Sequence, residues 1–163
     1  MRKLRLLLGY WLPVLVWMGV IFGASSDRGS FQHSSRIIEP LLRWLFPKLA
    51  DEAVHATVLF ARKCAHLAEY AVLAVLLWRA LRRSSEQGDA PWRWPVAGLT
   101  LALVALYAAT DEFHQVFVPS RQASVLDVLL DTLGGALALF FVWVAGWWRR
   151  HRQKAGLREG AGG

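Results

Sequence analysis

Lys63, His66, Glu69 and Tyr70 fall within one short stretch at intervals of three and four residues, the spacing that lines side chains along one face of a helix. A second polar stretch carries Asp111, Glu112, His114, Gln115 and, further on, Arg121; a third carries Asp127 and Asp131. Lys63 and Arg121, with His66 and His114 beside them, are suited to holding a phosphate, and arginine in particular can grip it bidentately. His66, Glu69, Glu112 and Asp127 are candidates for moving protons. Tyr70, Asp111, Gln115 and Asp131 complete the candidate ligand-binding set. His66, Glu69, Glu112, His114 and Asp127 are also ligand types for zinc or an oxygen-seeking divalent ion. No compact two-histidine helical motif organises them, however, and Lys63 and Arg121 would repel a cation. Neither a metal nor any other cofactor is expected.

The elements that must position these residues are membrane helices. The chain has 163 residues, of which 55% are hydrophobic, nine are tryptophan and only 19% are charged, an apolar excess over ordinary soluble domains. A single cysteine, Cys64, excludes an internal disulfide framework and a multi-cysteine zinc site. Four stretches are long enough to cross a bilayer as helices: Leu6–Ala24, about Ala53–Trp78, about Pro95–Thr110 with a continuation through Gln115, and Val125–Trp148. The expected class is an all-α membrane protein with four transmembrane helices, and the absence of strand alternation excludes a β-barrel. Residues 1–150 form that domain, and the basic, Gly-rich residues 151–163 are expected to be a disordered cytoplasmic tail. The first span follows Arg2, Lys3 and Arg5 as a secretory signal would, but its apolar run exceeds a signal core. It is expected to stay uncleaved.

Charge bias sets the expected topology. Twelve Lys and Arg residues lie in the N-terminus, the second loop and the C-terminal tail, against five in the first and third loops, which places both termini in the cytoplasm. Trp11, Trp78, Trp92, Trp94, Trp147 and Trp148 fall near the same expected interface, where amphipathic rings anchor. The net charge of +7 therefore reads as an orientation signal and a contact with anionic lipid, and no nucleic-acid partner is expected. In the first loop, Pro40–Phe46 suits either a short helix on the outer membrane surface or a loop tucked over the bundle.

This topology gathers Lys63, His66, Glu69, Asp111, Glu112, His114, Arg121, Asp127 and Asp131 at the outer end of the bundle. Ionisable groups within a membrane are costly and mark function by default. Simpler readings stand beside that one. Lys63 could snorkel to the headgroups, and His66 with Glu69 could lock two helices together. Asp127 could close a capping box with Ser124 at the start of the fourth helix; Asp131, one turn deeper, cannot be a cap. Gly19 and Gly23 form a GxxxG pattern and Gly134-Gly135 opens the last helix, which suggests close packing within the chain or, alternatively, a dimer seam.

Lys63-Cys-Ala-His66-Leu-Ala-Glu69-Tyr70, Asp111-Glu112-Phe-His-Gln115-Val-Phe117-Val-Pro119-Ser-Arg121, Ser124-Val-Leu-Asp127, Gly134 and the Ser25-Ser26 pair resemble the motifs of the VanZ-like family, over about Tyr10 to Ala145. Two positions depart from that pattern: Ser120 stands where glycine is common, and Asp131 where asparagine is usual. The resemblance implies a bacterial, multi-pass protein of the cytoplasmic membrane with a role in the cell envelope. The founding member is associated with resistance to the glycopeptide teicoplanin.

The favoured expectation is recognition or modulation of an anionic envelope lipid or lipid-linked cell-wall precursor, with membrane lipids as partners. An intramembrane enzyme acting on such a lipid is the alternative; Arg121, Asp127 and Asp131 loosely resemble the last motif of membrane lipid phosphatases, but Asp127 stands where their histidine nucleophile belongs. A proton-linked transporter fits poorly, because four helices without inverted repeats give little room for alternating access. A structural or accessory subunit is the remaining reading.

Overall fold

A computed structural model describes Leu4 and residues 7–25, 31–84, 92–117 and 124–160. Arg121, Ser120, Ser26 and the basic Arg2, Lys3 and Arg5 lie outside the described residues. The described residues form five helices. Helix α1, Leu7–Ser25, begins with a π-helical stretch over Leu7–Trp11 and is regular from Leu12; α2 spans Phe31–Leu45, α3 Asp51–Ser84, α4 Trp94–Gln115 and α5 Val125–Gly160. No strand occurs among the described residues. Helices α1, α3 and α4 and the Val125–Arg152 part of α5 are each long and apolar enough to cross a membrane, so the four-span, all-α expectation holds.

Local chemistry accounts for the ends. Helix α3 carries Asp51 and Glu52 in its first turn and Arg82 and Arg83 in its last, each sign favourable to the helix dipole. Helix α4 follows an extended Arg93, with Pro95 in its first turn, where the missing N–H has no partner to lose. Helix α2 resolves the reading of the first loop: it is longer than Pro40–Phe46, and it tolerates Pro40 inside it. Its Arg43 donates to Glu39 Oε1 at 2.9 Å and to Asp51 Oδ1 at 2.7 Å. Those two carboxylates, Asp51 first, push the pKa of this exposed guanidinium up and tie α2 to the start of α3.

The largest helix interface joins α3 to α5, and the two run parallel: Lys63 lies opposite Asp127, His66 opposite Asp131, and Leu67 opposite Gly134. Helix α1 runs against them, since Trp17 Nε1 donates to the Glu69 carbonyl at 2.9 Å while Trp11 Nε1 donates to Ser84 Oγ at 3.1 Å. Tyr107 of α4 donates to the Met18 carbonyl at 2.6 Å. Between these helices lies a narrow core of Val14, Ile21, Tyr70, Leu73, Ala74, Leu77, Val104, Ala108 and Leu139. The outward faces are apolar instead, with Leu15, Val16, Phe22, Leu129, Leu133 and Phe141 exposed, as a lipid-facing surface requires.

Among the described glycines, those that permit a close approach are the adjacent pair Gly134 and Gly135. A Cβ on Gly134 would stand 2.4 Å from the Leu67 carbonyl oxygen, and one on Gly135 would meet Val104 Cγ1 at 2.9 Å, so α5 comes close to α3 and α4 because these two positions lack side chains. Gly19 and Gly23 would meet nothing within 4 Å. The expectation that this pair serves packing within the chain is therefore corrected: it faces outward. The tail differs as well, because α5 continues to Gly160 where composition suggests disorder from residue 151. Arg149 to Ala155 are mostly good helix formers, and they extend a helix already nucleated in the bundle.

Aromatic and basic groups share the end opposite the acids. Trp78 stacks near Trp92 at 4.6 Å, Trp92 meets Trp94 edge-on at 5.6 Å, and Arg79 lies over Tyr10 at 5.0 Å.

Candidate functional site

At the other end, four helices converge on a polar cluster. Helix α3 supplies Arg62, Lys63, His66, Glu69 and Tyr70; α4 supplies Asp111, Glu112 and Gln115; α5 supplies Asp127 and Asp131; α1 ends there in Ser25. Burial is deep for several of them: Tyr70 is 0% exposed, Ser25 and Asp131 1%, Asp111 2% and Glu112 6%. Such burial of polar groups is costly unless each is bonded or charge-compensated.

Some of these groups are satisfied within the chain. Asp111 Oδ2 accepts from Gln115 Nε2 at 3.3 Å. The start of α5 is capped from two directions: Ser124 Oγ accepts the Leu126 N–H at 3.2 Å, while the Ser124 N–H donates to Glu112 Oε2 at 2.8 Å. A self-contained capping box would have given that second bond to Asp127. Glu112 of α4 takes the position instead, and Asp127 Oδ1 turns to Lys63 Nζ at 3.9 Å. Glu112 is thus a clamp between two helices. Glu112→Ala is expected to cost about 1–2 kcal/mol through the lost cap, read as a lower melting temperature, whereas Glu112→Gln keeps an acceptor and most of the stability.

Others are left open. Both oxygens of Asp131, Asp111 Oδ1, the Tyr70 hydroxyl, Ser25 Oγ, His66 Nδ1 and His114 Nδ1 are buried without a hydrogen-bond partner. His66 Nδ1 stands 3.6 Å from Asp131 Oδ1, close enough for an ion pair but beyond a hydrogen bond. Asp111, Glu112 and Asp131 all lie within electrostatic reach of the Tyr70 hydroxyl, and Asp111 and Asp131 within reach of Glu69. Native interiors rarely leave so many polar atoms unpaired in one place, and each such group calls for an explanation.

Of the residues singled out from sequence, the structure brings together Lys63, His66, Glu69, Tyr70, Asp111, Glu112, Gln115, Asp127 and Asp131. His114 turns toward α1, its ring 4.4 Å from that of Phe22, and so packs beside the cluster. Arg121 lies outside the described residues. Two participants escaped the sequence reading. Arg62 is half-buried and within electrostatic reach of Asp127 and Glu112, whereas Lys63 is 57% exposed. The signal was available, because Arg62, His66 and Glu69 repeat at four and three residues, a helical face as good as the one beginning at Lys63. Ser25 is the other: the Ser25-Ser26 pair marks the family resemblance, but the spacing gives it no place beside the acids. Among the described residues, no group of three or more His, Cys, Asp or Glu is arranged to share a metal ion.

The chemistry within reach is layered. Cations line the rim (Arg62 and Lys63), one turn above a wall of carboxylates and hydroxyls. No curated protein and no solved structure matches this chain. The family model described as VanZ/LLP1 matches residues 10–146, nearly all of the four-span bundle and every motif of the cluster; this multi-pass membrane protein belongs to the VanZ/LLP1 family.

Proposed function

We propose that the cluster is a headgroup site for an anionic envelope lipid or lipid-linked cell-wall precursor, and that the protein recognises or modulates that lipid at the outer face of the bacterial cytoplasmic membrane. The observation that carries this reading is the set of buried, unpartnered polar atoms on four helices at one end of the bundle, a group that a polar ligand would complete. Arg62 and Lys63 at the rim supply charge for a phosphate. The orientation is supported by the basic and aromatic residues gathered at the opposite end, as cytoplasmic ends are marked. A link to glycopeptide resistance follows if the lipid is the one such antibiotics engage.

Native mass spectrometry of gently solubilised protein tests the proposal, with wild type beside His66→Ala. The expected result is a defined phosphate-bearing lipid on the wild type and its loss from a variant with an unchanged circular dichroism spectrum. Loss of fold together with loss of lipid would favour a purely structural cluster. Arg121→Ala, measured alongside, reports whether that arginine contributes to lipid retention.

A further inference from the structure

The acids of the cluster say more about the ligand than the cations do. Five carboxylates, those of Glu69, Asp111, Glu112, Asp127 and Asp131, share this end of the bundle with Arg62, Lys63 and the imidazole of His66. Glu112 is engaged by the Ser124 N–H and Asp127 by Lys63. The deeper pair is served only in part: Asp131 has the His66 imidazole at 3.6 Å but both oxygens without a hydrogen-bond partner, and Asp111, held by Gln115 through one oxygen, has the other open. A second observation converges on the same place, for the fully buried Tyr70 hydroxyl also lacks a partner and lies within electrostatic reach of both carboxylates.

We infer that this deep wall seats a primary ammonium group, so that the ligand is an envelope lipid whose headgroup carries an amine as well as a phosphate. The inference rests on the lipid-site reading and names the chemistry of its ligand. A phosphate would be repelled by Asp111 and Asp131. Sugar or glycerol hydroxyls would donate hydrogen bonds but add no positive charge, leaving the single imidazole of His66 to answer two buried carboxylates. A quaternary ammonium brings charge without N–H donors. A primary ammonium brings both a positive charge and three donors, enough for Asp131, Asp111 and the Tyr70 oxygen. Spacing agrees: Asp127, beside the rim lysine, precedes Asp131 by one helical turn, about 6 Å of axis. A phosphate on Arg62 and Lys63 can therefore place an amine two carbons away against the acids.

The test uses the full chain in detergent micelles doped with one lipid at a time, read by native mass spectrometry. The lipids are phosphatidylethanolamine, phosphatidylcholine and phosphatidylglycerol of identical acyl chains. The expected retention of phosphatidylethanolamine exceeds that of each of the others by about tenfold, and Asp131→Asn, which keeps size and shape, reduces the preference to about twofold. Asp111→Asn serves as the second variant should the first fail to fold. Equal retention of phosphatidylethanolamine and phosphatidylcholine overturns the inference. If phosphatidylglycerol is then held in an Arg62-dependent manner, the phosphate site survives without the amine; if no lipid is held selectively, both readings fall. A bacterial polar-lipid extract separates the two sources of the amine by adduct mass, phospholipid or polyprenyl-linked precursor. An adduct lacking an amine overturns the inference.

Discussion

Gly134→Val is expected to unfold at a markedly lower temperature than wild type, with the largest loss of any single substitution in the bundle. Even the first added carbon would stand 2.4 Å from the Leu67 carbonyl oxygen. That oxygen belongs to helix backbone and cannot rotate aside, so α3 and α5 must separate. Overpacking of this kind costs about 1–3 kcal/mol and more where the neighbours cannot yield. The damage should reach the site, because His66 precedes Leu67 by one residue and Asp131 precedes Gly134 by three. Gly19→Val supplies the contrast: a Cβ there meets nothing within 4 Å, and the substitution should leave the melting temperature unchanged. Thermal denaturation in detergent reads both. Equal melting temperatures for Gly134→Val and wild type would refute the close crossing.

The second large effect concerns charge. Arg62→Met should lower retention of a phosphate-bearing lipid by about tenfold or more, equivalent to roughly 1.4 kcal/mol, while Lys63→Met should lower it by about twofold, as expected for an exposed pair. The reason is position. Arg62 is half-buried within reach of both Asp127 and Glu112, so its charge is weakly screened, and its flat guanidinium can present two donors at once. Lys63 is 57% exposed and 3.9 Å from its acid. Methionine preserves the aliphatic stem in both cases, so that lost packing does not masquerade as lost charge. If Lys63→Met proves the more damaging, the rim assignment is reversed.

How much of this could be read from the residues depends on the range of the interaction involved. Apolar runs located all four spans, since a bilayer imposes length and polarity on each segment separately. Convergence of the acids also followed, because alternating crossings bring the first half of α3, the end of α4 and the start of α5 to one end. Contacts between helices were less accessible. Ser124 and Asp127 read as a local capping box, yet Glu112 from another helix takes the Ser124 N–H. GxxxG in α1 and Gly134-Gly135 in α5 look alike as strings, and only the crossing geometry shows that the second pair is the one in use. Arg62 and Lys63 each begin a face at helical spacing, and the burial that distinguishes them depends on neighbours from α4 and α5.

The Leu67–Gly134 crossing also limits how the site can move. With α3 and α5 held there almost backbone to backbone, neither helix can slide past the other without breaking the contact. Asp127 lies seven residues from that fulcrum, a lever arm of about 10 Å. A splay of about 10° around it opens the rim by only about 2 Å over such an arm. Any opening between these two helices therefore has a short throw, and a group wider than a headgroup would have to enter past α4 or along the side facing the lipid.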